Sequence, residues 1–306
     1  MRGRAAARPR GITVHLYTRS RAHAVDRSAH PTSQHLRSPP ATTGGVVMSA
    51  ADAALLQTLL TALRLPTIKR LWADIAGQSD REGWPAARLL ATLAELEVAD
   101  REQRRITRHL DQAKLPVGKR LNDFDFKAIP MVSAAHIEAL SSGDRWLAAG
   151  QNLLFFGPPG VGKTHLAAAL GRTLIENGYR VLFSRTTDMV QRLQSARQEL
   201  NLPNLLDKLD RFDLLILDDL SYVEKDQAET SVLFELISTR YERRSLLITA
   251  NQPFGEWDKV FPDPAMTVAA IDRLVHHATI FEMNVESYRR RQAAETSKKS
   301  RNQKEI

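Results

Sequence analysis

The residues best suited to chemistry lie between Gly157 and Thr164, where the sequence reads GPPGVGKT. An apolar run precedes this stretch and a helical pattern follows it, which is the strand–loop–helix setting of a phosphate-binding loop. Its three glycines let successive backbone N–H groups point at an anionic phosphate, and the following helix N-terminus adds further N–H groups. We therefore predict a nucleotide site built from consecutive residues: Gly157, Pro158, Pro159, Gly160, Val161, Gly162, Lys163, Thr164 and His165.

Two side chains of this loop have separate predicted roles. Lys163 is expected to reach the β- and γ-phosphates, and the hydroxyl of Thr164 is placed to ligate Mg²⁺. The predicted ligands are therefore ATP and Mg²⁺. The alternative is an ordinary glycine-rich turn with an exposed lysine, which the flanking strand and helix patterns disfavour.

A second apolar run, Leu214–Leu217, ends in two acids, Asp218 and Asp219. Beside a phosphate-binding strand, the first acid is placed to hold Mg²⁺ through its water shell, and the second to orient a hydrolytic water. Asp219 is one methylene shorter than the Glu that most hydrolysing ATPases of this general type have there, so it has less reach toward a water. Without the loop nearby, two such acids would be equally typical of a plain loop start.

Two further polar residues follow later elements. Asn251 comes after a third buried run, where its amide is predicted to hydrogen-bond the attacking water and sense the γ-phosphate. Arg273 lies on a helix ahead of the last strand, where it is predicted to neutralise transition-state charge in the site of a neighbouring subunit. The alternatives are a turn-forming asparagine and a surface arginine paired with Asp272. His276 and His277 have no partner at metal-binding spacing, so we interpret them as ordinary helix residues.

These residues need a scaffold that brings strand ends together. From residue 151 onward, short apolar runs alternate with helical patterns, which predicts a parallel sheet covered by helices on both faces. Ligands of such sheets bind beyond the carboxyl ends of the strands. The predicted fold class is therefore α/β, a five-stranded parallel sheet covered by helices and preceded by a small all-helical domain. The predicted strands are 152–156, 180–184, 213–218, 245–249 and 278–282, and the predicted helices are 163–176, 187–200, 228–243 and 265–277.

The region from residue 51 to 115 has a helical pattern. A break at residues 83–85 precedes a long helix that runs from about Ala86 towards Lys114. Its second half carries arginines three or four residues apart, which share one helix face and could follow a phosphate backbone. The predicted DNA contacts are Arg101, Arg104, Arg105 and Arg108. The alternative is a solvated helix face whose arginines are balanced by nearby acids.

The charge of the chain is concentrated at its ends. The net charge is +8 over 306 residues. Residues 1–47 hold eight arginines, no lysine and one acid, a charge of +7. Residues 287–306 hold seven basic and two acidic residues, a charge of +5, which leaves −4 for residues 48–286. The body of the chain is therefore not a uniformly basic DNA-binding surface, although local basic patches remain compatible with this distribution.

Composition also excludes some classes of site. The chain has no cysteine, so it has neither disulfides nor cysteine-based zinc or iron–sulfur centres. No apolar run approaches the about 18 residues that a membrane helix needs. We expect a protein without a membrane partner, and the absence of cysteine fits a reducing cytoplasm.

Residues 1–47 are rich in Arg, Ser, Pro and Ala and have no helical or strand period, which predicts disorder. Three interpretations are open: an extension ahead of the true start at Met48, a nucleic-acid-binding arm, or a transit peptide. The first is favoured because an orderly helical pattern begins directly after Met48. The predicted division is a disordered basic extension (1–47), a helical N-terminal domain (48–118), a linker and lead-in helix ending near residue 149 (119–150), the ATP-binding domain (151–287) and a basic disordered tail (288–306).

Taken together, these motifs resemble an AAA+ ATPase, and more closely the IstB-like ATP-binding proteins that assist transposases of bacterial insertion sequences. That family is related to the helicase loader DnaC and the initiator DnaA. The resemblance rests on LLFFGPPGVGKTHLAAALG, DLLILDDLSYV, QAETSVLFELISTRYERRSLLITANQPF and MTVAAIDRLVHH with ESYRRR, and on LRLPTIKRLW in the helical region. It covers about residues 50–292.

The resemblance implies a role for each matched residue. Residues 157–164 match the Walker A loop, Asp218 and Asp219 the Walker B acids, Asn251 sensor 1, and Arg273 the arginine that acts on a neighbouring subunit. The chain is short for the helical lid domain of larger relatives, which leaves Arg289 or Arg290 as weak candidates for a second sensor.

The resemblance further implies an ATP-dependent helper of DNA transposition that oligomerises into a ring or spiral, binds duplex DNA and recruits or activates a partner transposase. The nearest alternative is a helicase loader with the same ATPase. A small-molecule kinase would leave Asn251, Arg273 and the helical domain unexplained. An ATP-binding scaffold without turnover also remains open, because Asp219 replaces Glu.

Overall fold

The computed structural model of the protein describes residues 49–220, 227–259 and 263–285. The described residues from Ala54 onward form one structural unit. The strands are β1 (Asn152–Phe156), β2 (Val181–Arg185), β3 (Leu214–Asp218), β4 (Ser245–Ala250) and β5 (Ala278–Glu282). Within the described residues the α-helices are α1 (Ala50–Ala62), α2 (Pro66–Glu82), α3 (Ala86–Ala113), α4 (Ala134–Ser141), α5 (Lys163–Glu176), α6 (Thr186–Gln198), α7 (Leu202–Leu209), α8 (Gln227–Arg240) and α9 (Pro264–Val275).

All five strands pair in parallel in one sheet, in the order β2-β3-β4-β1-β5. The predicted fold class is therefore confirmed, and each predicted strand agrees with the observed one to within a residue at either end. Strand β4 separates β1 from β3, so the residues that follow these three strands meet at one edge of the sheet.

The sheet is buried on both faces because every residue of β1, β3 and β4 is buried. Successive side chains of a strand point to opposite faces. One set, which includes Leu154, Leu215 and Ile248, packs against α6–α9. The other set, which includes Phe155 and Ile216, packs against α4 and α5. This burial holds the strand ends that carry the polar residues in a fixed arrangement.

The helices differ from the prediction at two places. Helix α7 has no predicted counterpart, because its eight residues form only about two turns. The lead-in helix was expected to continue to about residue 149, but α4 ends at Ser141. Gly143 has a positive φ of 76°, and a Cβ there would lie 2.4 Å from the Tyr179 ring, so the chain turns at this glycine.

Helices α2 and α3 are joined by a buried acid. The carboxylate of Glu97 on α3 accepts hydrogen bonds from the backbone N–H groups of Thr67 (2.8 Å) and Ile68 (3.0 Å), at the N-terminus of α2. The same carboxylate pairs with Arg101 at 3.1 Å. A carboxylate distant in sequence therefore accepts hydrogen bonds from N–H groups that have no partner inside helix α2. Its negative charge is also stabilised by the positive end of the helix dipole.

A buried arginine ties α8 to the start of the sheet. Arg240 is 1% exposed and donates hydrogen bonds to the carbonyl oxygens of Leu209, Phe212 and Ser245 at 2.9–3.0 Å. Burial lowers the pKa of Arg240 to about 10, so its guanidinium stays charged at neutral pH. The hydrogen bonds of Arg240 therefore connect the end of α8 to the end of α7 and to the beginning of β4.

Among the described residues, no helix combines the length and the apolar character needed to cross a membrane. The predicted extension 1–47, the tail 288–306 and the two candidate second-sensor arginines lie outside the described residues.

Candidate functional site

The polar residues predicted from the sequence come together at the carboxyl edge of the sheet. The glycine loop follows β1, Asp218 ends β3, and Asn251 comes directly after β4. Because β4 lies between β1 and β3, Asn251 is placed between the loop and the acids.

The loop after β1 has the backbone that its glycines allow. Gly157, Gly160 and Gly162 have φ values of 149°, 87° and 106°. A Cβ on Gly157 would lie 2.5 Å from the carbonyl oxygen of Met283, which follows β5. A side chain at Gly157 is therefore excluded by its neighbour as well as by its φ. Helix α5 begins at Lys163, so its first N–H groups face the loop.

The side chain of Lys163 is held inside the loop. Lys163 is 5% exposed, and its Nζ donates to the carbonyl oxygens of Gly157 (2.6 Å) and Pro158 (3.1 Å). A third bond runs from Nζ to Oδ1 of Asn251 at 2.8 Å. The ammonium group is thus fixed between the loop and the residue after β4.

Two threonines surround the carboxylate of Asp218. The Thr164 hydroxyl lies 2.9 Å and 3.0 Å from its two oxygens, and the Thr249 hydroxyl donates to Oδ1 at 2.7 Å. Burial raises the pKa of Asp218 above its usual range, against the opposing effect of these hydrogen bonds. A metal cation at this carboxylate would compensate the cost of burying its charge.

Asp219 turns the chain away from β3. Its φ is 60°, an uncommon value for a residue with a Cβ, and its backbone N–H donates to Oγ1 of Thr249 at 2.9 Å. Nδ2 of Asn251 lies 3.5 Å from Oδ1 of Asp219. Asn251 therefore faces both the lysine and the second acid.

Thr249 is a site residue that sequence reasoning missed. Its side chain is fully buried, and its hydroxyl joins the backbone of Asp219 to the carboxylate of Asp218. A threonine in a β-strand is common, so its type alone gave no signal. The signal available was its position two residues before Asn251, because residues i and i+2 of an extended segment point to the same face of the sheet.

The residues at this edge fit a nucleotide with Mg²⁺. Mg²⁺ prefers hard oxygen ligands, and the hydroxyl of Thr164 beside the carboxylate of Asp218 supplies them. The glycine loop and the first turn of α5 supply N–H groups for phosphate, and Lys163 supplies a fixed positive charge. The donor set is therefore that of a Mg²⁺–phosphate site.

The ring of His165 lies on the side of α5 that faces the preceding linker. Its centroid is 5.4 Å from that of Phe124, and its Nε2 is 3.3 Å from the carbonyl oxygen of Arg120. Burial lowers the pKa of His165. Phe124 also packs against Gly162, where a Cβ would lie 3.1 Å from the ring. Phe124 thus packs against the loop and belongs to the core.

Arg273 lies in the last turn of α9 and is held against α8. Its Nη1 donates to the carbonyl oxygen of Ala269 at 2.9 Å, and its guanidinium lies 4.9 Å above the ring of Phe234. The expected alternative, a pair with Asp272, is absent from the ion pairs of the described residues. Arg273 also makes no hydrogen bond there to the nucleotide-site side chains of its own chain.

The arginines of α3 divide into two groups. Arg101 pairs with Glu97, and Arg104 pairs with Asp100 at 2.6 Å, so both are bound within the helical region. Arg105 pairs with Glu102. For the exposed Arg108, no ion pair occurs within the described parts of the chain. The structure thus shows acids beside three of the four predicted DNA contacts.

His276 and His277 differ from their interpretation as helix residues without a metal-binding partner. Helix α9 ends at Val275, so both histidines follow it. Glu242, in the turn after α8, lies 3.5 Å from Nδ1 of His276 and 3.7 Å from Nε2 of His277. The sequence could not show this cluster because Glu242 is separated from the histidines by more than thirty residues and meets them only in the folded chain.

Comparison with known proteins gives a consistent result. A family described as IstB-like ATP binding protein matches residues 58–296. An insertion-sequence ATP-binding protein of Sinorhizobium fredii is 68% identical over 252 residues, covering 82% of this chain and 85% of that protein. The ATP-binding protein of insertion sequence IS21 from Pseudomonas aeruginosa is 34% identical, covering 76% of this chain and 88% of its own length.

Solved structures that resemble part of the chain include the DnaC helicase loader and AMPPCP-bound DnaA from Aquifex aeolicus. DnaC is 21% identical with a TM-score of 0.45, covering 56% of this chain and 98% of DnaC. DnaA is 19% identical with a TM-score of 0.46, covering 56% of this chain and 51% of DnaA. Neither similarity bears on what this chain binds.

Proposed function

Because the chain belongs to the IstB-like ATP-binding protein family of insertion sequences and has an AAA+ P-loop fold, we propose that it is an ATP-hydrolysing helper of DNA transposition. In this proposal it oligomerises, binds duplex DNA and recruits or activates a partner transposase at the target, in the cytoplasm. The observation that supports it most is the meeting of Lys163, Thr164, Asp218 and Asn251 at one sheet edge.

The proposed hydrolysis uses the geometry of that edge. The loop N–H groups and Lys163 bind the phosphates of ATP, while Thr164 and Asp218 hold Mg²⁺, which supplies charge neutralisation at the transferred phosphoryl group. Asp219 orients the attacking water. Asn251 faces both Lys163 and Asp219, so it is suited to report whether a γ-phosphate is present.

Arg273 is proposed to act on the site of a neighbouring subunit in the oligomer. Its guanidinium packs on Phe234 and is not bonded to its own site residues among the described part of the chain. An arginine supplied across an interface stabilises transition-state charge and is worth about 10³–10⁵ in rate where it operates. A head-to-tail ring or spiral is the assembly that would bring each Arg273 to the next site.

A mixing experiment tests this arrangement. Lys163→Ala lacks a working site but keeps Arg273, whereas Arg273→Ala keeps the site. If the arginine acts across the interface, a working interface needs the intact site of one variant beside the intact arginine of the other. In an equal mixture of the two inactive variants, about one quarter of the interfaces meet this condition and regain activity. Each variant should still assemble with the wild-type chain. If it does and mixing restores no activity, Arg273 does not act on the site of a neighbouring subunit.

The proposed DNA contact lies at the C-terminal end of the α3 arginines. Burial lowers the pKa of His109, and the positive charges of three arginines lower it further. These are Arg180, directly before β2, and Arg105 and Arg108 of α3. Their positive potential therefore combines at one place, the α3–β2 arginine patch (Arg105, Arg108 and Arg180). Arg101 is proposed to contribute less, because it pairs with the buried carboxylate of Glu97, whereas the partner of Arg105, Glu102, is exposed to solvent.

Fluorescence anisotropy of a labelled duplex, measured over a range of salt concentrations, tests the patch. We expect Arg108→Ala or Arg180→Ala to weaken binding and to lower the salt slope by about one unit for each lost phosphate contact. Arg101→Ala is the matched control on the same helix. Equal losses in all three variants would contradict the patch. Unchanged affinity in all three would locate DNA binding elsewhere.

The link to transposition needs a second component. In the presence of ATP and duplex DNA, the purified wild-type chain is expected to retain the transposase encoded beside it on the insertion sequence. The Lys163→Ala variant is expected not to retain it. Retention of a replicative helicase instead of the transposase would favour the helicase-loader alternative.

A further inference from the structure

A second cluster of metal-ligating side chains lies at the opposite edge of the sheet from the nucleotide site. Glu242 is in the turn between α8 and β4, while His276 and His277 connect α9 to β5. Both connections lead into the amino ends of strands, and the glycine loop leaves a carboxyl end. The cluster therefore has no part in the proposed ATP site.

Two of the three separations between potential ligand atoms are close to those of a tetrahedral metal site. Glu242 Oε1 lies 3.5 Å from His276 Nδ1 and 3.7 Å from His277 Nε2. One potential ligand atom from each residue lies within 4.8 Å of the others. Zinc binds imidazole nitrogen and carboxylate oxygen at about 2.0–2.2 Å, which places neighbouring tetrahedral ligands about 3.3–3.6 Å apart. Two observed separations are already close to this value.

The backbone around the cluster constrains where its ligands lie. Glu242 has a φ of 55°, and the backbone of Gly150 packs so closely against it that a Cβ on Gly150 would lie 2.9 Å from the Glu242 carbonyl carbon. The Tyr241 hydroxyl lies 2.7 Å from His276 Nδ1, and the centroids of the two histidine rings are 4.0 Å apart. About half of each ligand side chain is exposed, so an ion can reach them from solvent.

We propose that Glu242, His276 and His277 bind one divalent transition-metal ion of the zinc class. Two imidazoles and one carboxylate suit Zn²⁺, Co²⁺ or Ni²⁺, whereas Mg²⁺ and Ca²⁺ prefer all-oxygen sites. Water or the nearby Tyr241 hydroxyl completes the coordination. Nδ1 of His276 must give up its hydrogen bond with the Tyr241 hydroxyl before it can bind the ion.

The ion would join the end of α8 to the end of α9. Arg273, in the last turn of α9, lies three residues before His276, and it packs on Phe234 of α8. Metal binding would thus stabilise the same helix pair that holds this arginine. A ligand that binds only the folded state raises the unfolding temperature.

Cobalt titration of the full chain, free of any affinity tag and first treated with a chelator, tests the site. Tetrahedral Co²⁺ gives visible absorption that Zn²⁺ removes by competition. We expect one ion per wild-type chain, with at least a tenfold loss of affinity in His277→Ala and in Glu242→Gln. The control His136→Ala, an exposed histidine on α4, should bind as the wild type does. Asp218→Asn should also keep the cobalt spectrum, because it alters only the nucleotide site.

Thermal unfolding gives an independent measurement. Zn²⁺ should raise the unfolding temperature of the wild type and of His136→Ala, but not that of His277→Ala. If His277→Ala does not fold, Glu242→Gln provides the same comparison. Equal cobalt affinities in wild type and both ligand variants, or no cobalt binding by the wild type, would overturn the proposal and leave the cluster a surface hydrogen-bond network.

Discussion

Replacing Thr249 by Val tests how the two acids are positioned. Valine has nearly the same shape but no hydroxyl, so the substitution removes two hydrogen bonds and creates little cavity. The partly buried N–H of Asp219 loses its 2.9 Å acceptor, a cost of about 1–3 kcal/mol. The Asp218 carboxylate loses a 2.7 Å donor, which contributes about 1.5–3 kcal/mol, but keeps its bonds to Thr164. The expected destabilisation is therefore about 2.5–6 kcal/mol.

Urea unfolding followed by circular dichroism measures this loss, and phosphate release from ATP measures its effect on the site. Thr249→Val should unfold at lower urea and hydrolyse ATP more slowly, since Asp218 and Asp219 lose their common anchor. Thr249→Ser is the matched control, because it keeps the hydroxyl and should restore most of both properties. A stability of Thr249→Val within about 0.5 kcal/mol of the wild type would refute the reasoning.

Three further predictions concern other parts of the chain. Gly157→Ala should abolish ATP binding in a fluorescence titration, since a Cβ there meets the Met283 carbonyl oxygen at 2.5 Å, whereas Gly77→Ala in α2, where the nearest atom is 3.9 Å away, should bind normally. Arg240→Met should cost about 3 kcal/mol or more in urea unfolding, because several buried carbonyl groups lose their donor; a stable variant would contradict this account. The pKa of His109 is lowered in the folded chain, so protonation favours the unfolded state, and stability should fall as pH decreases through about 6.5. His109→Gln should lose less stability than the wild type between pH 7.5 and 5.5, and equal losses would assign the acid sensitivity to other groups.

The parallel sheet was predictable because its strands are continuous apolar runs. Leu153–Phe156 and Leu214–Leu217 are buried from end to end, so their sequences contain little besides Leu, Ile and Phe. The glycine loop was equally visible, because phosphate binding demands a fixed residue order over eight positions. Helix α7 was missed because its eight residues form only about two turns, too short a stretch for a helical period to be recognised.

Contacts between distant segments account for the remaining differences. Thr249 and Asp218 meet only because β3 and β4 are neighbours, and Glu242 reaches His276 only because α8 and α9 end side by side. The pairing of Arg104 with Asp100 and Glu97 is local to α3, one and two helix turns away, and the sequence shows it only as mixed charge. The predicted domain boundaries and the roles of Asp219, Asn251 and Arg273 stay predictions.

The most direct test of the central claim is Mg²⁺-dependent release of phosphate from ATP by the wild-type chain and by Lys163→Ala. Lys208→Ala, which changes an exposed lysine on α7, is the matched control. The wild type and the control should hydrolyse ATP at equal rates, and Lys163→Ala should be slower by at least about a hundredfold, because the fixed charge at the phosphates is lost. Equal phosphate release by all three proteins would contradict the assignment of the carboxyl edge of the sheet as the ATP-hydrolysing site.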